Sequence, residues 1–323
     1  MKKSYRIIFL SIVAGEIAAI LFIGANIYKN KIHAAASVYS IRKKDITIAP
    51  DGELHNFFEL APSHTMQGKP DWLPYQTIQT INADGLNERF DYAVPKPAHT
   101  FRIVSLGDSY TYGIYVNTAE NYSELLEDML NRRLGCDAIK KFEVINLGVP
   151  GYDARYSAER FMRRGIKYSP DLVIWIIKNE DLFQITDVLY GTLSENTREG
   201  MSSEDSARFF EEKRQEMLRD MSEDDRYAYQ EAALRHFADI WKGELLIFSA
   251  PNYLSPREKK ILFDLEKLSP HIHVAELLPE SIRALPYIIR KGDDHFSTQG
   301  HTLTAEILFA YLKENFTHSC AAR

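Results

Sequence analysis

The stretch Phe101-Arg102-Ile103-Val104-Ser105-Leu106-Gly107-Asp108-Ser109-Tyr110 decides how this chain is read. Its first six residues are largely apolar and predict a buried strand, which Gly107 breaks into a turn that presents Ser109. In an open parallel sheet the ligand crevice lies at the carboxyl ends of the strands. A helix that follows such a strand aims its N-terminal amides and positive dipole end at any anion formed there. A serine in that place sits where a nucleophile belongs. A lone G-D-S carries little weight. It gains weight from Gly292-Asp293-Asp294-His295-Phe296-Ser297-Thr298-Gln299-Gly300-His301, which precedes the last amphipathic helix and offers a base and an acid.

Working outward, strand-like and helix-like runs alternate, as a parallel α/β sheet requires. Strands are expected at 102–106, 142–147, 172–177, 244–250 and 271–277, and helices at 122–134, 154–168 and 301–316. Leu172-Val173-Ile174-Trp175-Ile176-Ile177 is apolar throughout, which fits a strand covered on both faces. Asn121 with Glu124 three residues on has capping-box spacing at the start of the first long helix. Around 191–235 charged residues surround Met201, Met217 and Met221, which reads as a solvated helical insertion in preference to a lid. Residues 30–100, with Pro62, Pro70, Pro74, Pro95 and Pro97, read as a juxtamembrane linker and irregular entry segment before a catalytic domain at 101–316 and a tail at 317–323.

With 323 residues, 45% apolar and 26% charged, the chain has an ordinary globular balance. A net charge of −6 with dispersed Lys and Arg excludes a nucleic-acid footprint. The N-terminus differs from the rest. After Met1-Lys2-Lys3-Ser4-Tyr5-Arg6, the run from Ile7 to Tyr28 is apolar apart from Glu16 and Asn26, and about 20 such residues span a bilayer. The small-residue site Ala34-Ala35-Ala36 lies beyond polar Lys29–His33, so residues 1–29 are expected to be an uncleaved cytoplasmic tip and transmembrane anchor. Basic residues flank both ends of the run. With the N-terminus inside, the protein would be a single-pass cell-membrane protein whose catalytic domain is extracytoplasmic. Cys136 and Cys320 are too few for a metal site or a disulfide scaffold. They follow the first long helix and the last one. A bridge there and a free Cys320 in a frayed tail both fit.

A serine hydroxyl becomes a nucleophile when a base takes its proton, and the base needs a third group to orient it. Ser109 and His295 fit the first two roles. Asp293, two positions before the histidine, is chosen as the acid over adjacent Asp294. The oxyanion of a tetrahedral intermediate also needs donors. Gly148 follows the second strand, where a backbone N–H can approach a substrate, and Asn179 follows the third with a side-chain amide.

With these four blocks in place, the chain resembles the SGNH (GDSL-like) hydrolases over residues 80–316, through Ser109, Gly148, Asn179 and His295. The resemblance implies a flavodoxin-like three-layer α/β/α sandwich and ester hydrolysis through an acyl-serine. It also implies an oxyanion hole made by the Ser109 N–H, the Gly148 N–H and the Asn179 side chain, with no metal or organic cofactor. The upstream Ile81-Asn82-Ala83-Asp84-Gly85-Leu86-Asn87-Glu88-Arg89 looks like an entry motif of membrane-anchored bacterial members, and the residues suggest no role for it. Two departures stand out. The third block, usually G-x-N-D, reads Ile177-Lys178-Asn179-Glu180, and the last, usually D-x-x-H, would put the acid at Gly292, which leaves a Ser-His dyad open. The expected substrate is an acyl ester, with acetyl groups on envelope or secreted polysaccharide as the class that the expected location suggests. A polysaccharide O-acetyltransferase using the same triad and a non-catalytic membrane-tethered binding protein are the alternatives.

Overall fold

The computed structural model describes residues 46–50, 53–70, 72–189, 203–316 and 320–322. The expected anchor at 1–29 lies outside the described residues. Among those described, no helix is long and apolar enough to cross a membrane.

Five strands form the central sheet: β1 (Thr100–Leu106), β2 (Lys141–Asn146), β3 (Leu172–Ile176), β4 (Glu244–Phe248) and β5 (Ile272–Ala275). All pair in parallel, in the order β2-β1-β3-β4-β5. That is the flavodoxin-like order, with its switch point beside β1. The strands expected from the apolar runs are all present, each within about two residues of its expected ends.

Eight helices carry labels here: α1 (Ser109–Tyr112), α2 (Tyr122–Arg133), α3 (Ala154–Arg160), α4 (Asn179–Phe183), α5 (Ser203–Asp220), α6 (Glu223–Ile240), α7 (Pro256–Glu266) and α8 (Thr298–Asn315). The strand pleat shows how they are layered. Trp175 on β3 lies opposite Ile247 on β4, so Trp175 and the next β4 residue, Phe248, face opposite sides of the sheet. Trp175 packs on Phe237 of α6, ring centroids 5.2 Å apart, while Phe248 meets Tyr122 of α2 at 6.2 Å. The two helices therefore cover opposite faces, α2 packing with α8 and α6 with α3 and α7. Every β3 residue is buried as a result. In α2, Asn121 accepts from the Glu124 N–H at 3.0 Å, but the Glu124 carboxylate turns to Arg89, so only half of the expected capping box forms. The helix expected over 154–168 ends as α3 at Arg160 and continues as a single π turn, Phe161–Gly165, and a 3₁₀ turn, Ile166–Tyr168.

The entry segment is more regular than its prolines suggest. Ile46–Ile48 pairs with Phe58–Leu60, and His64–Gly68 with Thr77–Ile81, both antiparallel and outside the central sheet. Pro62, Pro70 and Pro74 fall between these strands, where no ladder N–H is missed. The segment is tied down by chemistry as well. Phe57 and Phe58 pack with Tyr152 and Tyr156, and Glu59 accepts from Arg160 at 2.7 Å and from Arg164 at 2.9 and 2.6 Å. Burial opposes the Glu59 charge, but the two guanidinium groups outweigh it and hold the carboxyl at about 2. In the helical insertion α5 docks through Met217, which is buried with Ile185 and Leu189.

The two cysteines meet. Leu134–Cys136, directly after α2, pairs antiparallel with Cys320–Ala322, and Cys136 stands opposite Cys320. Cys136 is disulfide-bonded, and Cys320 is the chain's only other cysteine.

Candidate active site

At the carboxyl end of β1 the chain turns sharply at Gly107, whose φ is +145°. A Cβ there would come within 2.3 Å of Thr111 Oγ1, so only glycine fits. Asp108 then caps α1 by accepting the Tyr110 N–H at 3.0 Å, and Ser109 takes the first helical position. The Ser109 N–H is thus among the amides at a helix start that have no intrahelical partner.

The late block arrives from the other end of the chain. Ile288–Arg290 and Asp293–Phe296 form an antiparallel ribbon whose turn contains Gly292 at φ +86°. His295 therefore stands on a strand, not in the loop its neighbours suggest. This decides which carboxylate meets the imidazole. In extended backbone, residues two apart point to the same side, so Asp293 reaches His295 while Asp294 faces away. His295 Nδ1 lies 2.6 Å from Asp293 Oδ1, and Asp294 instead meets Arg283 at 3.3 Å. The D-x-x-H spacing is thus replaced by D-x-H on a strand, with the same contact.

Ser109 Oγ is 2.7 Å from His295 Nε2. With Nδ1–H given to Asp293, Nε2 is left as the acceptor for the serine hydroxyl. Ser109 and Asp293 are buried, 6% and 5% exposed, so the carboxylate acts on the imidazole with little screening. Burial pushes the His295 pKa down, but the Asp293 hydrogen bond and charge, followed by the charges of Asp108 and Asp294, outweigh it and raise it above 6.5. Burial likewise works against ionised Asp293, yet His295 and Arg290 hold its pKa below 3.8. The imidazole is fixed by packing too: Tyr110 stacks on it at 4.8 Å and Tyr115 meets its edge at 5.3 Å.

Of the expected oxyanion donors, the Ser109 N–H lies at the start of α1 beside its own hydroxyl. Asn179 is the first residue of α4 and lines a cleft of about 420 Å³ together with Lys178, Tyr253, Arg283, Asp293 and Asp294. Gly148 departs from expectation. Its N–H donates to Asn146 Oδ1 at 2.9 Å and so is committed inside the protein. A Cβ there would lie 2.4 Å from the Tyr112 nitrogen, which gives the glycine a packing role against α1.

The entry motif also has a place that its residues did not announce. Asn87 Nδ2 donates to the Tyr112 carbonyl at 2.8 Å, and the Glu88 carboxylate accepts the Asn146 N–H. Asn146 in turn donates from Nδ2 to the Thr111 carbonyl at 2.8 Å. The motif thus braces the turn that carries Ser109 from behind. Burial of Asn87 and Glu88, each 0% exposed, was the missing signal, and a polar run in sequence does not reveal it. Among the described residues, no cluster of His, Cys, Asp or Glu has metal-site geometry.

No family model matches the chain, and no curated protein matches it. Similar solved structures exist. TesA is 14% identical with a TM-score of 0.43, the match covering 66% of this chain and 98% of that one. A two-domain esterase active on acetylated mannans is 14% identical at a TM-score of 0.42, over 67% of this chain and 49% of that one. A lipase/acylhydrolase from Enterococcus faecalis is 16% identical at a TM-score of 0.40, over 66% and 96%. What this site can do follows from its own geometry.

Proposed function

We propose that the protein is a serine esterase that hydrolyses small acyl esters through an acyl-serine. The observation that carries this reading is the unbroken relay from Ser109 through His295 to Asp293, with contacts of 2.7 and 2.6 Å; Asp293 also lines the neighbouring cleft. Ser109 attacks the ester carbonyl while His295 takes its proton, and the imidazolium then protonates the departing alkoxide. Water, deprotonated by His295, attacks the acyl-serine, the acyl–Oγ bond breaks, and the imidazolium returns its proton to Ser109 Oγ as the acid leaves. The Ser109 N–H and the Asn179 amide are the donors offered to the oxyanion, each worth about 2.7–4 kcal/mol of barrier in comparable sites.

The cleft favours a polar substrate. Lys178, Asn179, Glu180, Arg283, Asp293 and Asp294 line it beside Tyr110, Tyr253 and Ile288, and charged groups with aromatic faces and a single aliphatic residue suit an acetyl group on a hydroxyl-rich alcohol better than a long acyl chain. Carbohydrate O-acetyl esters are the substrate class we infer. The apolar run at 7–28 supports membrane anchoring, and the bonded cysteine supports an oxidising, extracytoplasmic compartment. Acyl transfer to a sugar hydroxyl would use the same residues, and product analysis separates it from hydrolysis.

The test is turnover of p-nitrophenyl acetate, butyrate and octanoate by the purified full-length chain. Acetate should be preferred, and Ser109→Ala should lower kcat by about 10⁴-fold or more with the melting temperature unchanged. A fluorophosphonate should label wild type at Ser109. Turnover retained in Ser109→Ala removes the proposal.

A further inference from the structure

Beside the nucleophile lies a buried ion pair that the relay does not use. Lys178 is 4% exposed and Asp108 is 6% exposed, and Lys178 Nζ is 2.7 Å from Asp108 Oδ2. The same Asp108 oxygen is 3.5 Å from Ser109 Oγ. The ammonium is held over the Tyr110 ring at 4.7 Å and lies 3.7 Å from Asp181 Oδ1. The Lys178 N–H donates to Asp181 Oδ2 at 2.8 Å, which fixes the start of the lysine side chain.

This arrangement meets a physical problem. Asp108 is needed to cap α1, yet a second carboxylate next to Ser109 competes with His295 as acceptor for the serine proton. Its charge also favours imidazolium and opposes an oxyanion, and at low dielectric both effects are large. We propose that Lys178 is a positioning residue of the proposed esterase reaction, pairing with Asp108 so that the cap stays while its charge is cancelled beside the Ser109–His295 pair. The buried lysine keeps its proton. Burial pulls its pKa down, but Asp108, then Asp181 and Glu180, raise it well above 10.5.

The groups facing His295 bound the effect. Asp293 and Asp294 come from its own strand, Asp108 and Tyr110 from the nucleophile turn, Tyr115 from the loop after α1, and His301 from α8. Burial, then the charge of His295, hold His301 at about 3, so it stays neutral and does not confuse the titration. Of the acids, Asp108 is the one paired to a buried lysine.

The experiment compares wild type, Asp108→Asn, Lys178→Met and the double variant in the full-length chain. It follows the His295 imidazole by NMR, with its signal assigned through His295→Gln, together with the acid limb of kcat/KM. Lys178→Met should raise the His295 pKa by about one unit, and Asp108→Asn should lower it by a similar amount. The double variant should return close to wild type, because neither charge remains. Asn still caps the helix, so Asp108→Asn and the double variant decide the matter even where Lys178→Met fails to fold. A purely structural pair predicts an unmoved imidazole in every variant, and that result overturns the proposal. The proposal rests on the esterase reading. A wild type with no turnover would sink that reading alone, since the NMR titration needs no substrate.

Discussion

Among the described residues, two of the buried clusters of acids differ in what they connect. At the carboxyl end of β1, Asp293, His295, Ser109, Asp108 and Lys178 join the proposed nucleophile to its proposed base, and Lys178 and Asp293 line a cleft. Beneath the entry motif, Glu88, Glu124 and Glu127 gather around Tyr92 and Arg89. Both clusters are perturbed. Burial first, then the Glu124 charge, drives the Glu88 pKa well above 4.5, and burial lifts Glu127 to about 7. The second cluster reaches no nucleophile. Its partners are the Tyr92 hydroxyl, the Arg89 guanidinium and the N–H groups of Val144 and Asn146, so its oxygens are spent on holding the chain together. A displaced titration thus marks burial, and only the connection to a nucleophile marks chemistry.

Exchanging the acids around His295 gives the sharpest contrast. Asp293→Asn should lower kcat by about 10⁴-fold, because the imidazole loses the carboxylate that fixes its tautomer. Asp294→Asn should cost less than about tenfold, since Asp294 touches Arg283 and not the ring. Steady-state kinetics on p-nitrophenyl acetate read both. Equal losses would mean that the catalytic acid is misassigned or that a Ser-His dyad suffices.

That contrast also shows what was legible. The strand-turn-serine at 101–109 and the D-D-H block near the end were readable because apolar runs and glycine breaks are local. The choice of Asp293 was readable, but its reason was not: the ribbon Ile288–Phe296 needs pairing between segments that no periodicity announces. The partner of the Gly148 N–H was hidden for a related cause. A glycine after a strand looks like an open amide, and only the fold shows Asn146 reaching back to occupy it. The role of Asn87 and Glu88 depends on contacts 25 and 58 residues away in sequence, which a single chain does not display.

Scaffold ion pairs should break differently from the site. Arg102, the one charge in β1, is fully buried, with Glu143 at 2.6 Å and the Tyr168 carbonyl at 2.6 Å. Arg102→Met leaves Glu143 buried with only Lys141 as an ionic partner, at 2.9 Å, and should cost about 3–5 kcal/mol in urea unfolding. Activity per folded molecule should stay the same. The disulfide is expected to be milder. Cys136→Ser should destabilise by roughly 2–4 kcal/mol with kcat unchanged, because Cys136 follows the end of α2 far from the helix start at Tyr122, beside His301. A fall in kcat in either variant would show that scaffold and site are coupled.

The smallest effect tests the second cluster directly. Glu127 accepts from the Tyr92 hydroxyl at 2.9 Å and the Val144 N–H at 2.8 Å, and a glutamine oxygen can accept both. The folded pKa is raised from 4.5 to about 7, so between those values the native state holds a proton that the unfolded chain has lost. Wild-type stability should therefore fall as pH rises through this window, and the loss should be complete above pH 7. Glu127→Gln cannot ionise. It should match wild type near pH 5 and exceed it near pH 8 by on the order of 1–2 kcal/mol, as read from chemical unfolding at the two pH values. The acid limb of kcat/KM should not move, because that limb belongs to His295. A shifted limb would mean that the charge beneath the entry motif is felt at the nucleophile, and the two clusters would then be one.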